Sequence, residues 1–408
     1  MLFKTIFVAI LCLPGLMMGH PGHDLTEELT RRQAFLGSAR QTSLSHCAEK
    51  LNDRGVQAQN RRRRSETLEK TRLLTRASKK NSTSSLIQSH NKTSLGYDQE
   101  TSATALFSDN SSCVLTPEVT EGPYYVGGEL VRHDISETQP GVKLLIDYQI
   151  IDVDTCDPVP NVFVEIWHCN ATGVYSGVVA NGNGDSSDRA NVDSTFLRGI
   201  QKTDSVGVVQ FTTIFPGHYS GRTTHAHVIV HTNVSENANG TLGQDTYASH
   251  VGQSFFDQDL LAAINQAAPY SYNVQKQTLN SEDSILAEEA DGTDPLLSYV
   301  MLGDTIEDGL LAWSAVGINT SYSNLLRAAS SYYASGGVSK NNSGIRGGPD
   351  GSGPPGGNGG NATDGRPQGT GTFGATVSPT SVTSVADKFT LTAVAISFVG
   401  LLLPVLWL

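Results

Sequence analysis

The stretch GRTTHAHVIV, residues 221–230, places His225 and His227 two positions apart. In an extended chain successive side chains point to opposite faces. Thr223, His225, His227 and Ile229 would then share one side, and Ala226, Val228 and Val230 the other. Two imidazoles at that spacing can grip one metal ion while the small apolar face packs inward. Two ligands leave a metal under-coordinated, so further donors must come from elsewhere. Zinc-finger spacing and HExxH are absent, the phosphate loops GxGxxG and GxxxxGK[ST] are missing from the folded portion, and no GxSxG elbow occurs. The common hydrolase and nucleotide chemistries lose ground accordingly. What stands nearby is tyrosine. Tyr219 lies in FPGHYSGR, where Pro216, Gly217 and Gly221 make a tight turn, and Tyr175 lies in WHCNATGVYSG, in another glycine-containing turn.

Strands and turns must position these groups. GVKLLIDYQIIDV and NVFVEIWH read as two strands joined by the turn DTCDPVPN, and GVVQFTTIF and THAHVIVH as two more. A helix is expected near Phe255 to Ala267, and further strands around Leu297 to Leu302 and Leu310 to Ala315. The expected fold is mainly β: an antiparallel β-sandwich over 113–335, preceded by a helical region over 20–112 and followed by a disordered stalk. In the helical region LTEELTRRQAFLGSA and SETLEKTRLLTRA carry the pattern. The run Arg61 to Arg64 reads as a solvated helix end, a loop or a dibasic-type processing site. Nucleic-acid binding is not expected of a chain with net charge -12 whose basic stretch lacks interleaved aromatics.

The stretches TPEVTEGPYY (116–125), VEIWHCNATGVYSG (164–177), FLRGIQKTD (196–204) and FTTIFPGHYSGRTTHAHV (211–228) resemble the intradiol ring-cleavage dioxygenases, particularly their secreted fungal branch. The resemblance spans about residues 113–260 in order. It implies one non-haem Fe(III) per chain, held by Tyr175, Tyr219, His225 and His227. Two hard, anionic phenolates with two imidazoles suit ferric iron better than zinc or copper. It further implies that a catechol-type substrate and O2 react to break the bond between the two hydroxylated carbons, giving a muconate-type diacid. Tyr219 would double as a base, Arg222 would stabilise negative charge developing on the substrate, and Gln253 would hydrogen-bond a ligand histidine or the substrate. Tyr124 and Tyr125 would wall the pocket or pack a turn. His231, about 13 Å along the strand from His227, reads as a surface residue, and His168 and His218 as supporting groups.

The chain ends speak to location. Residues 1–19 read as a cleaved secretory signal. Residues 336–376 read as a Gly/Asn/Ser-rich stalk, and 377–408 as an attachment signal for a GPI anchor or a tail anchor. Nine Asn-x-Ser/Thr sequons, at Asn81, Asn91, Asn110, Asn170, Asn233, Asn239, Asn319, Asn341 and Asn361, agree with a secretory route. Cys47, Cys113, Cys156 and Cys169 allow two disulfides in three connectivities, with Cys156–Cys169 disfavoured by the strand between them. The competing reading is a GPI-anchored surface or wall protein whose sandwich serves adhesion, without chemistry.

Overall fold

The computed structural model describes residues 44–75, 90–91, 113–114 and 122–339, apart from 233, 244–246, 291–292, 327 and 334, together with Thr30. The expected signal, most of the stalk and the tail segment lie outside the described residues. So do most of LTEELTRRQAFLGSA and the sequons at Asn81, Asn110, Asn233, Asn341 and Asn361.

Two sheets face each other. The first runs β1 (Cys113–Val114), β11 (Leu310–Ile318), β3 (Lys143–Asp152), β6 (Val208–Ile214), with β10 (Ser298–Met301) also paired to β11. The second runs β5 (Arg198–Lys202), β4 (Phe163–Trp167), β7 (His225–His231), β9 (His250–Phe255). A short sheet of β14 (Gly336–Ser339), β13 (Ser330–Tyr333) and β2 (Val126–Gly127), and the pair β12 (Asn324–Leu325) with β8 (Tyr247–Ala248), flank them.

Alternation builds the core. Leu144, Ile146, Tyr148 and Ile150 of β3 meet Val164 and Ile166 of β4 and Val228 and Val230 of β7 in one buried cluster. Ile229, one residue out of phase on β7, joins a different cluster with Trp167, Tyr175 and Tyr219. The second sheet therefore buries both faces, one against its partner sheet and one beneath the tyrosine-bearing turns.

The outer face of the first sheet is covered by the helices α1 (Ala48–Asp53) and α2 (Val56–Thr75). Leu68 of α2 packs with Val300, Leu302, Leu311 and Trp313. Asp147, outward-facing on β3 and fully buried, takes Arg63 through Nε and Nη2 at 2.8 Å each and Arg64 through Nε at 3.1 Å. The basic run is thus helix interior with two of its arginines paired to one buried aspartate, neither a loop nor a solvated end, and cutting there would require local unfolding. Arg62 is exposed and pairs with Glu66 one turn on, and Arg61 is partly exposed. The disulfide Cys47–Cys156 ties this layer to the chain following β3. Cys169 is buried and unpaired, so the expected second bridge does not include it.

Other expectations are corrected as well. The sandwich is not wholly antiparallel: β11 lies parallel to β3 and to β1, which the long excursion through α3 (Gln258–Ile264), α4 (Ser284–Glu289) and β10 makes feasible. DTCDPVPN does join β3 to β4 as expected, and it carries the chain across to the other sheet, with Cys156 and Asn161 at positive φ. Phe255 completes β9, and the expected helix shortens to α3. β14 begins at Gly336, so the folded part runs past the anticipated stalk boundary.

Candidate metal centre

β7 supplies both histidines on the face opposite its valines, as alternation requires. The ring of Trp167, the cross-strand neighbour of His227 on β4, stacks flat on that imidazole at 4.5 Å and 3°. His225 Nδ1 sits 2.7 Å from Thr223 O, and a carbonyl can only accept, so Nδ1 carries the proton and Nε2 is the lone-pair nitrogen. That Nε2 lies 3.3 Å from the Tyr175 hydroxyl.

The two turns complete the cluster. Asn170 Oδ1 accepts from Thr172 N and Val174 N, winding the chain toward Tyr175. The Tyr175 backbone is then gripped on both sides: its N donates to Asn183 Oδ1 at 2.6 Å, and its O accepts from Asn183 and Asn191 Nδ2 at 2.8 Å each. On the Tyr219 turn, Gly217 lies against the Asn170 and Ala171 carbonyls where no side chain would fit, and Gly221 takes φ +94°. Ring centroids stand 5.6 Å apart for Tyr175 and Tyr219, 5.7 Å for Tyr219 and His225, 4.9 Å for His225 and His227, and 6.2 Å for Tyr175 and His227. All four side chains are buried. Tyr124 roofs the cluster, stacked on Tyr175 at 4.7 Å and edge-on to Tyr219 at 5.9 Å, while Tyr125 packs on Trp167.

Burial pushes the Tyr175 and Tyr219 phenols well above their ordinary pKa, and their mutual proximity adds to the effect for Tyr175. Burial, then the Arg222 charge, depresses His225 to about 3, keeping it neutral. Such a set stays protonated on oxygen unless a strong positive charge is supplied between the groups, and neutral imidazole is the ligand form. Two phenol oxygens with two imidazoles fit a ferric ion by donor type.

Arg222 is buried beside the cluster. Its Nε donates to Asp283 Oδ2 at 2.8 Å and its Nη2 to Gln253 Oε1 at 2.7 Å. Burial opposes its charge, but Asp283 and the neighbouring phenols outweigh that and raise its pKa. Gln253 lies opposite His227 on β9, and its amide oxygen accepts from Arg222. Asp283, Asn183, Asn191 and Trp167 were not identifiable from sequence spacing. Asp283 is 61 residues beyond Arg222 and caps α4 while holding the guanidinium. His231 is buried, not at the surface, with Nε2 2.7 Å from Glu165 Oε2. His168 is held between Cys169 O and Thr213 Oγ1, and His218 donates to Gln275 O.

The family model described as Dioxygenase matches residues 120–241. Catechol 1,2-dioxygenase 1 of Acinetobacter lwoffii is 34% identical over 110 residues, covering 26% of this chain and 32% of that one. Catechol 1,2-dioxygenase of Acinetobacter baylyi is 33% identical over 109 residues, with the same coverage. The chain therefore spans about a third of the length of these relatives. Among solved structures, an intradiol ring-cleavage dioxygenase from Tetranychus urticae is 31% identical over 51% of this chain and 96% of that one, with a TM-score of 0.42.

Proposed function

We propose that this chain, which belongs to the intradiol ring-cleavage dioxygenase family, holds one Fe(III) through Tyr175, Tyr219, His225 and His227 and opens catechol-type rings between their two hydroxylated carbons with O2. The observation that carries this reading is the convergence of two phenols and two imidazoles, drawn from two turns and one strand, within one buried cluster. When bound, the ferric ion would supply the charge that stabilises two tyrosinates and would withdraw electron density from a chelating catecholate, priming the ring for O2.

The residues have separable tasks. Tyr219 Oη takes a proton from a substrate hydroxyl. Tyr175, clamped through its backbone by Asn183 and Asn191, keeps its place. Arg222 presents a fixed positive charge beside Tyr219, balancing negative charge that develops on the substrate as it ketonises. Asp283 and Gln253 hold that guanidinium in register. Tyr124 and Trp167 exclude water from the cluster. A purely adhesive sandwich gives no reason for this convergence.

The same reading includes secretion and attachment at the cell surface, supported by the apolar ends and the sequons. The test of function is oxygen uptake by the purified secreted chain on a panel of catechol, hydroxyquinol, protocatechuate and larger plant phenolics. Stoichiometric O2 consumption with a muconate-type product is expected; no uptake on any of them by the iron-loaded protein would contradict the activity.

A further inference from the structure

Tyr175 and Tyr219 stand on separate turns, and their phenol oxygens can share one ligand only if the gap between the turns is held. Residues 273–275 lie across both. Asn273 Nδ2 donates to His218 O at 2.7 Å and to Ala171 O at 3.4 Å. Gln275 Nε2 donates to Thr172 O at 2.9 Å, and Gln275 Oε1 accepts from Ser220 N at 3.2 Å. Its backbone adds one more tie, Gln275 O accepting from His218 Nε2 at 3.0 Å, while Gln275 N donates to Asn273 Oδ1 at 3.0 Å and shapes the segment itself. One side-chain amide thus has its nitrogen on the Tyr175 turn and its oxygen on the Tyr219 turn.

Two further features agree. Gly173, at φ +84°, lies where the turns and the segment press together: a Cβ there would run into Gln275 Nε2 and His218 O. Val274, between the two bridging residues, is 98% exposed. The segment turns its polar side chains inward and its apolar one to solvent, the reverse of what burial alone would select.

The geometry points to Gln275 as the positioning residue that sets the spacing of Tyr175 and Tyr219, an amide clasp across the two turns. This rests on the reading that those phenols share one ferric ion. Residue 275 lies beyond the span 120–241 matched by the family model. Its loss leaves the Asn273 amide tying Ala171 to His218 and removes the tie between Thr172 and Ser220, so the spacing of the two turns slackens on that side.

The test compares the full secreted chain with Gln275→Ala, Gln275→Glu and Val274→Ala. Gln275→Glu keeps the shape and the acceptor for Ser220 N but sets a carboxylate oxygen against Thr172 O. Iron release to an excess of chelator, the position of the visible tyrosinate band and the thermal midpoint are measured on each. Both Gln275 variants are expected to lose iron about three- to tenfold faster than the parent, the effect of one or two hydrogen bonds, with a shifted band. Val274→Ala should match the parent. Parent-like release with an unshifted band in both Gln275 variants, even with a lowered midpoint, would overturn the assignment. A parent protein that binds no iron would overturn the site reading and this inference together, so the parent's own colour separates the two failures.

Discussion

Replacing Tyr219 by Phe removes one oxygen from the cluster and leaves the ring contacts with Tyr124, Tyr175 and His225 in place. A side chain that both donates to the metal and takes a proton should cost about 10²- to 10⁴-fold in kcat when lost. The visible band should move as well, and steady-state oxygen uptake with an absorption spectrum checks both. Full activity in this variant would remove Tyr219 from the chemistry. At this scale the sequence was informative where local geometry is periodic: alternation on β7 separates His225 and His227 from the valines, and short glycine turns present the tyrosines. It was silent on Asp283, whose contact with Arg222 spans 61 residues and depends on where α4 docks. It also misjudged His231, because Glu165 on the adjacent strand is what makes a buried histidine tolerable.

The helical layer makes its own prediction. Burial alone would raise the Asp147 pKa, but Arg63 and Arg64 hold it well below the ordinary carboxylate range. Asp147→Asn should therefore destabilise the chain by about 3 kcal/mol, since it leaves two largely buried guanidiniums without their carboxylate. Denaturant unfolding would measure this, and a loss under about 0.5 kcal/mol would mean that α2 is held by its apolar contacts alone. SETLEKTRLLTRA announced the helix. The partner of the arginines was not legible, because a charge run looks the same on a solvated face and over a buried aspartate. Strand pairing was hidden for a similar reason: β3 and β4 are adjacent in sequence, but each finds hydrogen-bonding partners farther along the chain.

At the scale of the whole molecule, distant segments are joined by a few specific links. Cys47–Cys156 closes a separation of 109 residues. His90 reaches both Asp257, before α3, at 2.6 Å and Asp294, before β10, at 2.9 Å. Burial would lower the His90 pKa, but hydrogen bonds to the two carboxylates outweigh it and raise it to about 9. A folded pKa above the ordinary value of 6.5 means stability fully present below about pH 6.5 and lost as pH rises through 9. The thermal midpoint of the parent should fall across that window, and His90→Gln should flatten the dependence; identical profiles would refute the link. The most direct test of the central claim is metal analysis with a visible spectrum of the purified chain. One iron per chain with a red-brown tyrosinate-to-iron band is predicted. A colourless protein holding zinc, or one whose iron leaves the band unchanged when Tyr175 or Tyr219 is replaced by Phe, would contradict it.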